Sequence, residues 1–303
     1  MSGSSAFGRP VNPSNDSNWR ERLRPARLAA GFLFPLRDEH RDDEAAWRRA
    51  AGWLPVWGLL IGVAYSIVYR ASWRWFGEFE RFRLMPVACL LLADLVWCGY
   101  RLIASLVTVV DHKAAGQDSG PGAAGTGARP SLSATLAVGL VVLFKLTMLL
   151  SLPLEVQVWP ADWRSHLGPL YPYVIFRPLV LMPLWGRWGM MLAISMGRAG
   201  PAATIRLQNM MGGTRLPAVM LYWVLAGALT VFYLSPTLGH LASGIVVAIG
   251  VLLAAYLTSF ALSRRAGGQT EATIRVAGLS AELSFLAFYL PIASAIYWYP
   301  RSL

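Results

Sequence analysis

Apolar runs and polar gaps alternate along this chain at a spacing that matches a bilayer. Seven apolar segments, at roughly 52–69, 85–110, 133–153, 172–196, 216–234, 240–262 and 276–298, each lie near or above the ~20 residues that a helical span needs. They predict an all-α fold, a polytopic membrane bundle of about seven transmembrane helices, because lipid offers the backbone no outside hydrogen-bond partner. Between them, Ser235–Gly239 with Pro236 reads as a tight turn, and 197–215 and 263–275 as polar, basic linkers. The loop 112–132 is rich in glycine and reads as a flexible connector; it lacks the Lys-Ser or Lys-Thr that a phosphate-cradling loop requires.

Ahead of this transmembrane domain, 51–303, lies an N-terminal segment, 1–50. Residues 1–26 are rich in Ser, Pro, Asn and Arg without an apolar period, which predicts a disordered or loosely held stretch. Ala26–Arg37 is too short to span and is expected to lie in the interface plane, and the mixed charges of Arg37–Arg49 predict a solvated helical face. The opening residues do not join a short basic region directly to an apolar core, so insertion is expected to begin at the first span.

Composition agrees with a bilayer partner. The 303 residues are 55% hydrophobic and 14% charged, with mean hydropathy +0.46, far more apolar than a soluble domain of this size. The formal charge is +11, but the basic residues are scattered between apolar runs, which argues against a nucleic-acid partner. With the N-terminus inside, the inner segments hold 17 Lys and Arg and the outer ones 6, so the positive-inside rule predicts a multi-pass inner or plasma membrane protein with a cytoplasmic N-terminus. The first outer loop, with Arg70, Arg74, Arg81 and Arg83, runs against that bias. Cys89 and Cys98 share one apolar run and read as buried small hydrophobes.

Charge inside the spans is what calls for chemistry. The stretch Arg177–Pro201 is long enough to cross a bilayer yet has Arg187 at its centre, and an uncompensated guanidinium there costs on the order of 3 kcal/mol. Asp94 and Arg101 lie seven residues apart in the second segment, two turns along one helix face. Lys145 lies within the third segment and Glu282 within the seventh. One reading is a single polar pocket, in which Arg101, Lys145 and Arg187 meet phosphate oxygens while Asp94 and Glu282 hold a metal or act as counter-charges. The other is a set of ion pairs between helices, with Arg177 reaching to an interface. His40, His112, His166 and His240 have no metal-ligand spacing, no nucleophile elbow is present, and Gly58 and Gly62 read as a helix-packing pair.

Four stretches, in order, resemble the cobalamin synthase family, the adenosylcobinamide-GDP ribazoletransferases of late vitamin B12 assembly. They are Leu54-Pro55-Val56-Trp57-Gly58 through Gly62, preceded by Phe32-Leu33-Phe34-Pro35-Leu36; Leu143-Phe144-Lys145 through Leu149; Leu184-Trp185-Gly186-Arg187-Trp188-Gly189-Met190, with Arg198 beyond; and Arg264 through Thr270, with Ala281-Glu282-Leu283. The family's acidic run, Gly-Gly-Leu-His-Leu-Asp-Gly-Leu-Ala-Asp-Thr-x-Asp-Gly, falls on Cys98–Asp111. Here Arg101 replaces its His, and Ile103, Val107 and Val110 replace its Asp residues, leaving Asp111 one place displaced. Glu271-Ala272 stands where the family has Gly-Asp after Thr270.

The resemblance implies a membrane phosphotransferase that joins adenosylcobinamide-GDP, a corrinoid nucleotide, to α-ribazole and releases GMP with help from Mg²⁺. Carried onto this sequence, it gives Arg187, Lys145 and Arg101 as phosphate-binding, catalytic cations, and Glu282, Asp111, Asp94 and Glu271 as substitute metal ligands. A second class remains open: a non-catalytic membrane protein that binds or transports a corrinoid or another anionic small molecule through the same cations.

Overall fold

The computed structural model describes residues 16–34, 43–76, 84–114, 130–152, 175–234 and 241–297. Among the described residues the chain forms helices only, here α1 (Asp16–Leu33), α2 (Glu44–Ala50), α3 (Leu54–Phe76), α4 (Leu84–Asp94), α5 (Tyr100–Ala114), α6 (Leu132–Leu150), α7 (Phe176–Ser195), α8 (Ile205–Gly213), α9 (Leu216–Leu234), α10 (Leu241–Arg265) and α11 (Glu271–Tyr297). A 3₁₀ turn, Ala51–Trp53, joins α2 to α3, and a π turn, Leu95–Gly99, joins α4 to α5. Local signals explain several starts. Asp43, Ser131 and Thr204 accept hydrogen bonds from the backbone N–H groups of Ala46, Ala134 and Leu207, capping α2, α6 and α8.

Six helical stretches are long and apolar enough to cross a membrane: Glu44–Phe76, Leu84–Asp111, Leu132–Leu150, Leu216–Leu234, Leu241–Arg265 and Glu271–Ala293. The seventh expected span is α7, and its setting differs from theirs. From Arg177 to Ile194 every residue of α7 except Val180 is buried, because α3, α9, α10 and α11 pack around it. The outer helices turn Leu136, Leu140, Leu225, Phe232, Ile245 and Leu257 outward, an apolar exterior suited to lipid. The protein is therefore an all-α, multi-pass membrane bundle wrapped around α7.

The N-terminal segment is more ordered and more deeply packed than its sequence predicts. Helix α1 begins at Asp16, within the stretch expected to be disordered; residues 1–15 and 35–42 lie outside the described residues. Ala26, Leu28, Ala29, Phe32 and Leu33 are buried, and the Trp57 indole donates to the Ala26 carbonyl at 2.8 Å. Short-range charge patterning also hid the inward face of α2. Trp47 is fully buried, and the backbone of Arg48 lies against Gly213 of α8.

The linkers 196–204 and 266–270 meet at the end of the bundle where α1 and α2 lie. Gln269 N–H donates to the Arg198 carbonyl at 2.7 Å and Gly200 N–H to the Gln269 carbonyl at 2.9 Å. Gly268, at φ +139, makes the turn that allows this approach, and Gly200 packs directly against it. The fully buried Gln269 side chain donates to the carbonyls of Met196 and Ser259 and accepts from Thr273. Gln269→Ala is expected to cost about 1–3 kcal/mol by stranding these partners. It should also speed tryptic cleavage at the exposed Arg198; unchanged thermal midpoint and cleavage rate would refute the clamp.

Candidate functional site

Five helices deliver one polar side chain each to the middle of the bundle: Tyr65 from α3, Asp94 from the end of α4, Lys145 from α6, Arg187 from α7 and Glu282 from α11. Lys145 Nζ donates to Asp94 Oδ2 at 2.6 Å and to Glu282 Oε2 at 3.2 Å. Arg187 Nη1 donates to Glu282 Oε1 at 2.6 Å, and the Tyr65 hydroxyl donates to Asp94 Oδ1. Two cations thus face two anions, and all four carboxylate oxygens carry a partner. In a low-dielectric interior this neutrality is what allows the charges to remain buried.

Sequence spacing explains how the network closes. Gly186 precedes Arg187, and a Cβ there would run into the side chain of Glu282; its absence lets the carboxylate approach α7 and reach the guanidinium. Gly189 and Gly278 leave similar room between α7 and α11. Trp185 and Trp188 pack edge-to-face against each other and donate to Thr230 and to the Val219 carbonyl of α9 at 3.0 and 3.1 Å. The Gly-Arg-Trp sequence therefore packs α7 against two neighbours while holding a cation between them.

Not all the expected residues meet here. Lys145, Arg187, Asp94 and Glu282 come together, as mutual ion pairs. Arg101 does not share a cavity with Asp94: its guanidinium donates to the Gly31 and Phe32 carbonyls at the end of α1, at 2.7 and 3.3 Å. The intervening π turn takes more residues per turn than an α-helix, so the seven-residue spacing no longer puts both on one face. Asp111 accepts from the Ser131 hydroxyl where α5 meets α6. Glu271 pairs with Arg275 at 3.0 Å and accepts from Thr204 at 2.8 Å. Arg177, in the first turn of α7, is buried and donates to the Tyr233 carbonyl in the last turn of α9 at 2.8 Å.

The four carboxylates expected around Mg²⁺ are thus divided among three places. Among the described residues no three His, Cys, Asp or Glu side chains gather as a metal site. Asp94 and Glu282 are already neutralised by Lys145 and Arg187, and this arrangement does not fit a divalent cation. A groove of about 620 Å³ between α6 and α11, lined by Leu140, Phe144, Met148, Leu283 and Ala287, opens beside the network and contains none of its charges.

Tyr65 and Arg275 were missed in the sequence. A tyrosine within a span is chemically silent until its partner is known, although Tyr65 does share a helix face with Gly58 and Gly62. Arg275 reads as linker, yet it lies four residues after Glu271 and seven before Glu282, positions that share one face once α11 starts at Glu271.

A family model described as cobalamin-5-phosphate synthase matches residues 118–293. The chain belongs to this family. The matched span takes in Lys145, Arg187 and Glu282 and begins after the 98–111 stretch in which the family's acidic run is replaced. No curated protein and no solved structure matches the chain. Membership of the cobalamin-5-phosphate synthase family places the protein in late cobalamin biosynthesis, among corrinoid-related substrates.

Proposed function

We propose that the protein carries out the transfer step of late cobalamin assembly, joining adenosylcobinamide-GDP to α-ribazole and releasing GMP, in an inner membrane with its N-terminus in the cytoplasm. The observation that carries this reading is the family match across both α7 and α11, which bear Arg187 and Glu282. In the reaction a ribazole hydroxyl oxygen bonds to the phosphorus on the cobinamide side of the pyrophosphate. The bond from that phosphorus to the bridging oxygen breaks, GMP leaves with that oxygen, and the hydroxyl proton passes to solvent or to the departing phosphate. Cations oppose the charge that develops; Lys145 and Arg187 have that role here, and Glu282 positions both. The orientation is supported by Arg48, Arg49, Arg206, Arg264 and Arg265, which belong to the α1–α2 end.

A second reading is favoured by the separation of the four carboxylates: binding or passage of an anionic corrinoid or nucleotide without turnover. One assay decides between them. Full-length protein in detergent is supplied with adenosylcobinamide-GDP and α-ribazole, with and without Mg²⁺, beside Arg187→Gln. A cobalamin product that falls at least a hundredfold in the variant is expected for the transferase. Retained corrinoid nucleotide with no product selects the binding reading.

A further inference from the structure

Lys145 and Arg187 are buried and paired with carboxylates, so a substrate reaches them only if one wall of the site gives way. Four of the five helices that build it are fixed. Helix α7 is enclosed; α3 meets its backbone at Gly58 and Gly62, and α11 seats against it at Gly189 and Gly278. Helix α4 is held to α3 by the Tyr65–Asp94 bond, and the π turn after it stacks Trp97 on Tyr65 with ring centroids 6.1 Å apart. Helix α6 is different. Of its nineteen residues only Ala134, Lys145 and Leu149 are buried. Leu140, Leu143 and Phe144 are exposed, and the apolar groove of about 620 Å³ separates α6 from α11. Thr135 and Thr147 turn their hydroxyls to carbonyls four residues back on their own chain. The start of α6 is anchored by Ser131, which donates to Asp111 of α5, and by the fully buried Ala134. Its middle is held by Lys145, about 16 Å further along the helix. Phe144 and Leu283, the neighbours of Lys145 and Glu282 in sequence, line the groove.

We propose that α6 is a gate on the lipid-facing side of the bundle, hinged at its Ser131 end and latched by Lys145, and that an anionic substrate opens it by drawing Lys145 away from Asp94 and Glu282. The network is a chain running from Tyr65 through Asp94, Lys145 and Glu282 to Arg187, and Lys145 is its middle link. Taking out that link leaves each carboxylate with a donor: Tyr65 on Asp94 and Arg187 on Glu282. The charge left over falls on Asp94, whose side chain, at 16% exposure, is the most open of the four charged groups. The released ammonium would swing toward a groove whose lining holds no acid. An unpaired cation there is costly, so the latch stays shut until an anion receives it. A helix with few buried side chains is also the kind of element that opens locally while its neighbours hold. The gate rests on the transferase reading only in taking the substrate to be anionic.

The test uses full-length protein in detergent, with Cys89→Ala and Cys98→Ala so that introduced thiols can be labelled. Spin labels on Leu143→Cys of α6 and Leu257→Cys of α10 report the position of α6 by double electron–electron resonance, and a Leu225→Cys and Leu257→Cys pair, on α9 and α10, is the reference. Adenosylcobinamide-GDP is expected to lengthen the first distance by several ångströms and to leave the second unchanged. Lys145→Met combined with Asp94→Asn removes the latch while the remaining charges stay matched, and is expected to show the longer distance without ligand. Should that variant fail to fold, the response of the parent to ligand decides. In a second arm Phe144→Cys and Ala287→Cys, on the two walls of the groove, are joined by a reducible bismaleimide. Product formation is expected to fall at least tenfold on crosslinking and to return on reduction. Product formed without lengthening, an α6 distance that latch removal leaves unmoved, or undiminished product after crosslinking overturns the gate. If the uncrosslinked protein forms no product, the transferase reading fails and the latch variant decides the gate separately: a longer distance keeps it and an unchanged one sinks it.

Discussion

Glu282→Gln is expected to destabilise the bundle by about 3–5 kcal/mol, because it removes one partner from a buried ion-pair network. Glu282 is the junction of that network, since one oxygen meets Arg187 and the other meets Lys145. Glutamine preserves the shape but leaves two cations facing one remaining anion, Asp94. Arg187 suffers most: its side chain is 1% exposed, and its Nε has no partner among the described residues. Removing charge in matched amounts should cost far less. Arg187→Leu combined with Glu282→Leu leaves Lys145 paired to Asp94 and is expected to lie within about 2 kcal/mol of the parent protein. Thermal unfolding of all three proteins in one detergent checks the ordering; a Glu282→Gln midpoint equal to that of the parent would show that these charges are not coupled.

Gly62→Val is expected to cost about 3 kcal/mol, the upper part of the range for overpacking a filled interior. A Cβ at Gly62 would lie 2.5 Å from the Val180 carbonyl oxygen and 2.6 Å from its Cα. One turn earlier, a Cβ at Gly58 would lie 2.6 Å from the Pro183 carbonyl oxygen. These are backbone atoms of α7, so relief requires the two helices to separate. Separation also withdraws Tyr65, three residues beyond Gly62, from Asp94. Gly139→Ala is the control: on α6 a Cβ meets nothing within 4 Å, and alanine is the better helix former by about 1 kcal/mol. The control should match or exceed the parent in thermal midpoint while Gly62→Val falls below it. Equal midpoints for the two variants would exclude close α3–α7 packing as the reason for these glycines.

The location of charge explains what could be read in advance. Lys145, Arg187 and Glu282 stood out because a charge within an apolar run of spanning length is expensive wherever it points. Its expense identifies it without identifying its partner. Asp94 and Arg101 show the limit: regular helical spacing puts both on one face, and a single π turn separates them. Asp111 and Glu271 were selected as metal ligands by resemblance, but each is held locally, by Ser131 and by Arg275 with Thr204. Arg275 was hidden because its role depends on where α11 begins, which depends in turn on the Gln269 clamp between two linkers.

The sequence by itself determined the fold class, the number of long apolar segments, the bias of positive charge toward one end and the identity of the interior charges. These follow from solvent cost, which each residue carries wherever it lies in the chain. Tertiary structure alone decided that α7 is the enclosed axis, that α1 and α2 pack against the bundle, and that the interior charges neutralise one another while Arg101 and Arg275 reach the Phe32 carbonyl. Those outcomes depend on side chains up to 243 residues apart in sequence, as Arg275 and Phe32 are, and pairing at that range is set by helix packing rather than by local spacing.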